Sequence, residues 1–163
     1  MKPYSSKTQE YLLNLINEQY QFLQNDEDII KFKKMLSPEH FMREFGTLTF
    51  KGRRQIGLTH LVEMLFVHTY FPSVIITAKN IETSYICRHL FDHLQNPELY
   101  EKVRKWVIPI SWLKEYPGQI MNSVEPNNFK LCILENASFF TQEQIDFTYA
   151  IFGPRVTMFT LLG

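Results

Sequence analysis

Polar and apolar positions divide the chain into short stretches whose period changes repeatedly. Up to about residue 24, Leu12, Leu15, Ile16, Gln19 and Leu23 recur at helical spacing, and Ser6 with Gln9 forms a capping-box pattern. A first helix over 6–24 is therefore expected, closed by the polar break "QNDEDII" (24–30). "SPEHFMREFG" (37–46) predicts a short helix, with Ser37 as N-cap, Pro38 at the first helical position and Gly46 as the stop. "THLVEMLFVHTY" (59–70) sets Leu61, Val62, Leu65 and Phe66 on one side and Glu63 opposite, an amphipathic helix. Residues 80–95 read as another helix, with Asn80 near its cap and Ile86, Leu90 and Leu94 four apart, and "NPELYEKVRKW" (96–106) adds a turn or two.

Between these lie short apolar, β-branched runs: "TLTF" (47–50), "SVIITA" (73–78), "VIPI" (107–110), "LCIL" (131–134) and "RVTMFTLLG" (155–163). Pro109 puts the third near a sheet edge. The stretch 111–129, with Pro117, Gly118, Pro126 and two adjacent asparagines, reads mostly as turns. Thr141 with Gln144 opens a helix over about 142–151. Strands alternating with helices imply an α/β fold, a mostly parallel sheet with helices on both faces. One domain is expected over 1–163: a helical extension (1–36) and a core (44–163) with strands near 47–50, 74–77, 131–134 and 156–161.

Composition changes this picture little. The 163 residues are 45% hydrophobic, with 14 Phe and 8 Tyr, enough for a real core and too much for disorder. Lys+Arg and Asp+Glu both number 17, so any surface for nucleic acid must be a local patch. No apolar run approaches a membrane span, and the polar start "MKPYSSKTQE" lacks a secretory core. Cys87 and Cys132 have no metal spacing and read as reduced core residues, so a cytoplasmic protein without a membrane partner is expected.

Chemistry concentrates in "FKGRRQIGLTH" (50–60). Gly52 to Thr59 reads G-x-x-x-x-G-L-T, against G-x-x-x-x-G-K-[ST] in phosphate-binding loops. Glycines let successive backbone N–H groups converge on an anion, reinforced by the start of the following helix. A strand-turn-helix junction with two convenient glycines would give the same pattern. "LCILEN" supplies a second motif, an apolar strand ending in Glu135 and Asn136. His89 and His93, four apart on a helix, lack a third ligand and read as surface residues. "KVRKW" (102–106) with Trp112 reads as a basic-aromatic patch or simply a solvated helix face, and Lys31, Lys33 and Lys34 as a solvated face.

In order and spacing these motifs resemble the ATPase domain of tailed-phage large terminases, P-loop NTPases that package DNA. The resemblance covers residues 44–163: Arg54-Gln55-Ile56-Gly57-Leu58-Thr59 beside an R-Q-x-G-K-[ST] loop, "VIITAKNIETSYICRHLF" beside the following strand and helix, "LCILENASFF" beside the second motif and "VTMFTLLG" beside the third. It implies a three-layer P-loop fold. It also implies ATP held by Lys51, Gly52, Arg53, Arg54, Gln55, Gly57, Leu58 and Thr59, and Mg2+ at Thr59 and Glu135. If the site is active, Glu135 is its catalytic carboxylate. As formulated from sequence, the comparison requires the strand at 47–50 to lie directly beside that at 131–134.

The departures matter more. Leu58 cannot bond a phosphate, and losing such a transition-state donor costs roughly 10²–10³ in rate. Asn136 stands where terminases carry Glu and is no base, a loss of roughly 10²–10⁴. No Asp-rich cluster follows residue 146, so the nuclease domain of complete terminases is not expected and the chain reads as minimal or truncated. The expectation is a degenerate nucleotide site in a non-catalytic binding or regulatory module, with DNA or a phage or host protein as partner, an oligomer left open, and no resident cofactor if the loop has lost its ligand. The alternative is an active ATPase of a DNA-packaging or DNA-translocating assembly, with Lys51 or Arg53 replacing the missing lysine.

Overall fold

The computed structural model describes residues 6–51, 72–124 and 127–163, without the side chains of Ser6, His93 and Lys102. The glycine-rich stretch from Gly52 through Thr59 and the helix expected over 59–70 lie outside the described residues.

Among the described residues, five parallel strands form one sheet: β1 (Thr47–Phe50), β2 (Ser73–Thr77), β3 (Val107–Pro109), β4 (Leu131–Glu135) and β5 (Met158–Leu162), in the order β1-β5-β4-β2-β3. β2 and β4 are buried at every position, as continuous apolar runs in a two-sided sheet should be. Pro109 ends β3, an edge strand of the sheet, the place in a sheet where proline is tolerated. The order corrects one expectation. β1 does not lie beside β4; β5 is interposed and pairs with both.

Two helices locate the faces of the sheet. Residues paired in register share a face, and residues three apart on one strand face opposite ways. Thr77, Glu135 and Leu162 are in register, and Thr77 Oγ1 lies 2.6 Å from Thr83 Oγ1 on α4 (Asn80–Leu94, following α1–α3 given below). Phe159 faces the other way, with its ring 4.6 Å from that of Tyr149 on a later helix (Gln142–Phe152). Helices thus pack on both faces, an arrangement compatible with three layers.

The N-terminal segment is more helical than expected. α1 (Ser6–Asn25) buries Leu12, Ile16 and Leu23, and α2 (Glu27–Met35) fills the stretch read as a break. Asp26 is a one-residue joint: its side chain accepts from the N–H groups of Asp28 and Ile29, each at 3.0 Å. Lys31, Lys33 and Lys34 are exposed, as expected. α3 (Pro38–Glu44) is capped by Ser37 as the sequence predicts. Following α4 come α5 (Pro97–Val103), α6 (Ile110–Glu115) and α7 (Pro117–Val124). The last two occupy 110–124, most of the stretch expected as turns, and Pro117 is the first residue of its helix rather than a break. α8 (Gln142–Phe152) carries the predicted Thr141–Gln144 capping box.

α3 is pinned to α8 by Arg43. Its guanidinium donates to Asp146 at 2.7 Å and Glu39 at 2.8 Å, and lies 4.9 Å over the Tyr149 ring. Hydrogen bonds from Arg43, then Gln142, hold the Asp146 carboxyl below its ordinary range. A depressed carboxylate contributes stability above its unfolded pKa, and that contribution disappears as pH falls through the folded value. Asp146→Asn is therefore expected to lower stability near neutrality, where the charged carboxylate contributes, and to change it little in acid, where the wild-type contribution is already lost, so that the acid-side fall becomes shallower. Urea unfolding midpoints measured across the acid range check this.

Candidate functional site

All five strands run the same way, so their carboxyl ends form one edge. Phe50, Leu162, Glu135, Thr77 and Pro109 stand in a single registered row across it. In open parallel sheets this edge is where ligands bind. Lys51, exposed, follows Phe50 there, at the same edge as Glu135. The interposed β5 puts Lys51 two strand spacings, about 10 Å, from β4. A lysine side chain with a phosphate ligand between can span that gap.

β5 also brings the third motif to this edge. Gly163 donates its N–H to Phe50 O at 3.0 Å. A Cβ on Gly163 would come within 2.8 Å of Ala137 N and 3.0 Å of Ser138 N, so the closing glycine is required by backbone approach.

Glu135 is 3% exposed, at the end of an apolar strand. Asn136 follows it at φ 54°, a left-handed conformation that asparagine tolerates better than most residues. Its Nδ2 donates to Glu135 Oε2 at 2.8 Å and to Glu82 Oε1 at 3.2 Å. Both partners are acceptors, which fixes the NH2 rather than the carbonyl toward them. The other Glu82 oxygen, Oε2, accepts the Lys79 N–H at 3.1 Å and so caps α4. The Lys79 ammonium lies 4.7 Å over the Phe139 ring, and Ile81 and Tyr85 border an open pocket of about 260 Å³ with Glu82, Glu135 and Asn136.

The sequence identified Glu135, Asn136 and Lys51, and the structure gathers these at one edge. It missed Glu82, Thr77 and Thr83. The signal for Glu82 was local: it stands three residues after Lys79, at the position where a Glu side chain returns to the cap N–H. Gly52, Arg53, Arg54, Gln55, Gly57, Leu58 and Thr59 lie outside the described residues.

The Mg2+ implied by the resemblance was assigned to Thr59 and Glu135. The donor set beside Glu135 does not suit it. An amide NH2 group, which cannot ligate a metal, donates to Glu135 Oε2 and to Glu82 Oε1. Among the described residues no group of three His, Cys, Asp or Glu is arranged to hold a metal. His89 is half-buried with its ring 4.3 Å from Tyr85. Of the basic-aromatic patch, Trp106 turns inward against Phe129 with ring centroids 4.7 Å apart, Arg104 bonds Glu101 at 2.8 Å, and Trp112 is exposed on α6. Cys132 is buried and its thiol pushed well up by burial, which suits a core residue and not a nucleophile. No helix among the described residues is long and apolar enough to cross a membrane.

No protein-family model matches the chain, and no curated protein or solved structure matches it.

Proposed function

We propose that the chain is a three-layer, P-loop-like binding module whose carboxyl edge takes a phosphate-bearing ligand without hydrolysing it. The observation that carries this reading is Asn136. At the position where a catalytic base would follow the strand-ending carboxylate, an amide is tied to Glu135 and Glu82 and has no basicity to offer. The shared edge of β1, β5 and β4 supports a phosphate site between Lys51 and Glu135. The binding reading rests on the edge geometry rather than on the terminase comparison, because that comparison required β1 beside β4 and β5 separates them. It extends to Gly52–Thr59 only through their sequence.

The position of exposed Lys51 at the same edge favours one second reading, an ATPase with Lys51 or Arg53 in place of the missing lysine. Steady-state ATP turnover, with and without DNA, separates the two. The binding reading predicts negligible turnover in both conditions. It also predicts that Leu58→Lys raises nucleotide affinity modestly and leaves hydrolysis negligible, since Asn136 is unchanged. Turnover in the wild type that vanishes in Glu135→Ala would establish the ATPase instead.

A further inference from the structure

We propose that the Asn136 amide takes the place of a divalent cation between Glu135 and Glu82, so that this edge is built to work without bound metal. The inference deepens the phosphate-site reading, but its test does not need a phosphate ligand.

Two carboxylates converge on one atom. Asn136 Nδ2 lies 2.8 Å from Glu135 Oε2 and 3.2 Å from Glu82 Oε1, so each of its two hydrogens has an acceptor on a different residue. Two carboxylates brought together at the edge of this pocket are stabilised by donors placed between them. In metal sites a cation takes that place. Here a neutral NH2 group takes it, with one N–H dipole for each carboxylate, from the residue directly after the strand. Asn136 reaches both acceptors from a left-handed backbone that most residues avoid. Its side chain is the right length to turn back onto its neighbour, and its NH2 offers the two donors the pair requires.

A divalent ion at this point would meet N–H hydrogens rather than lone pairs. It would have to expel Asn136 from both carboxylates, and would free Glu82 from one of the contacts that fix the start of α4. Glu82 holds that start through its other oxygen, on the Lys79 N–H at 3.1 Å. Lys79 in turn stands over Phe139, in the turn that follows Asn136. The amide link therefore joins the end of β4 to the start of α4 and keeps both in position with no ligand bound.

The test uses Mn2+ alone as probe, followed by calorimetry and by the loss of its free-ion electron paramagnetic resonance signal. Wild type is expected to show no saturable Mn2+ binding. Asn136→Asp replaces the donor with a third carboxylate, and is expected to show saturable Mn2+ binding at least about tenfold tighter than the weakest binding the titration detects, because added ligand charge raises affinity. Adding Glu135→Gln to Asn136→Asp should reduce that gain. Stoichiometric Mn2+ binding by wild type that weakens about tenfold or more in Glu135→Gln, the size expected for a lost ligand contact, would overturn the inference. If Asn136→Asp does not fold, the wild-type and Glu135→Gln titrations decide alone. A separate titration with inorganic phosphate that showed no binding would count against the proposed function and leave the manganese result standing.

Discussion

Phe159→Ala is expected to cost about 3–5 kcal/mol of folding stability, the range for truncating a buried phenylalanine. Phe159 is fully buried on β5, which is paired on both sides and so cannot shift to fill a void. Its ring packs against Tyr149, and the Tyr149 hydroxyl lies 2.7 Å from Thr47 Oγ1, which itself donates to Met42 O at 2.8 Å. The cavity would open where sheet, α8 and α3 meet. A loss of this size is a large share of the roughly 5–15 kcal/mol of a typical domain. Phe139, half exposed at the carboxyl edge, provides the control. Phe139→Ala should lose only its cation–π contact, about 0.5–1 kcal/mol. Urea unfolding of the two variants measures both, and equal losses would mean that the Phe159 face of the sheet is misplaced.

Asn136→Ala is expected to cost about 2.5–5 kcal/mol, although the side chain is small and partly exposed. A hydrogen bond to a charged group contributes about 1.5–3 kcal/mol; Asn136 supplies one to buried Glu135, which counts in full, and a longer one to half-buried Glu82, which adds little. Alanine would also occupy φ 54°, at about 1–2 kcal/mol for the left-handed region. Asn136→Gly separates the two terms, since glycine accepts the backbone and loses only the hydrogen bonds. The glycine variant should therefore fall between wild type and alanine. An alanine variant unfolding within about 0.5 kcal/mol of wild type, the range of an unremarkable surface change, would show that the amide link is not formed.

Much of the fold was legible because single stretches carry unambiguous signals. β2 and β4 each carry an unbroken apolar run, Val74 to Ile76 and Leu131 to Leu134, and Ser37 and Thr141 announce their helices with side chains of the right kind at the right spacing. The misreadings share a cause: the same residues punctuate both loops and helix starts. Asp26 with Glu27 and Asp28 looks like a polar break, yet acids at the first turn stabilise a helix by complementing its dipole. Pro117 looks like a turn residue and stands at the start of α7. Strand order was not legible. Alternation of strands and helices implies a parallel sheet but leaves open which crossover passes over which strand, and so β5 was not foreseen between β1 and β4. The site divides the same way. Glu135 and Asn136 follow from a run of apolar residues ending in a carboxylate. Glu82 joins them through a contact across 54 positions, which no local pattern carries.

The central claim is that this edge holds a phosphate ligand and does not hydrolyse it. A single calorimetric titration of the wild-type chain with ATP tests both halves, because binding appears as a saturating heat and turnover as a sustained thermal power after each injection. The account predicts saturation with no sustained power. A titration with no binding heat, or one with continuing power that disappears in Glu135→Ala, would contradict it.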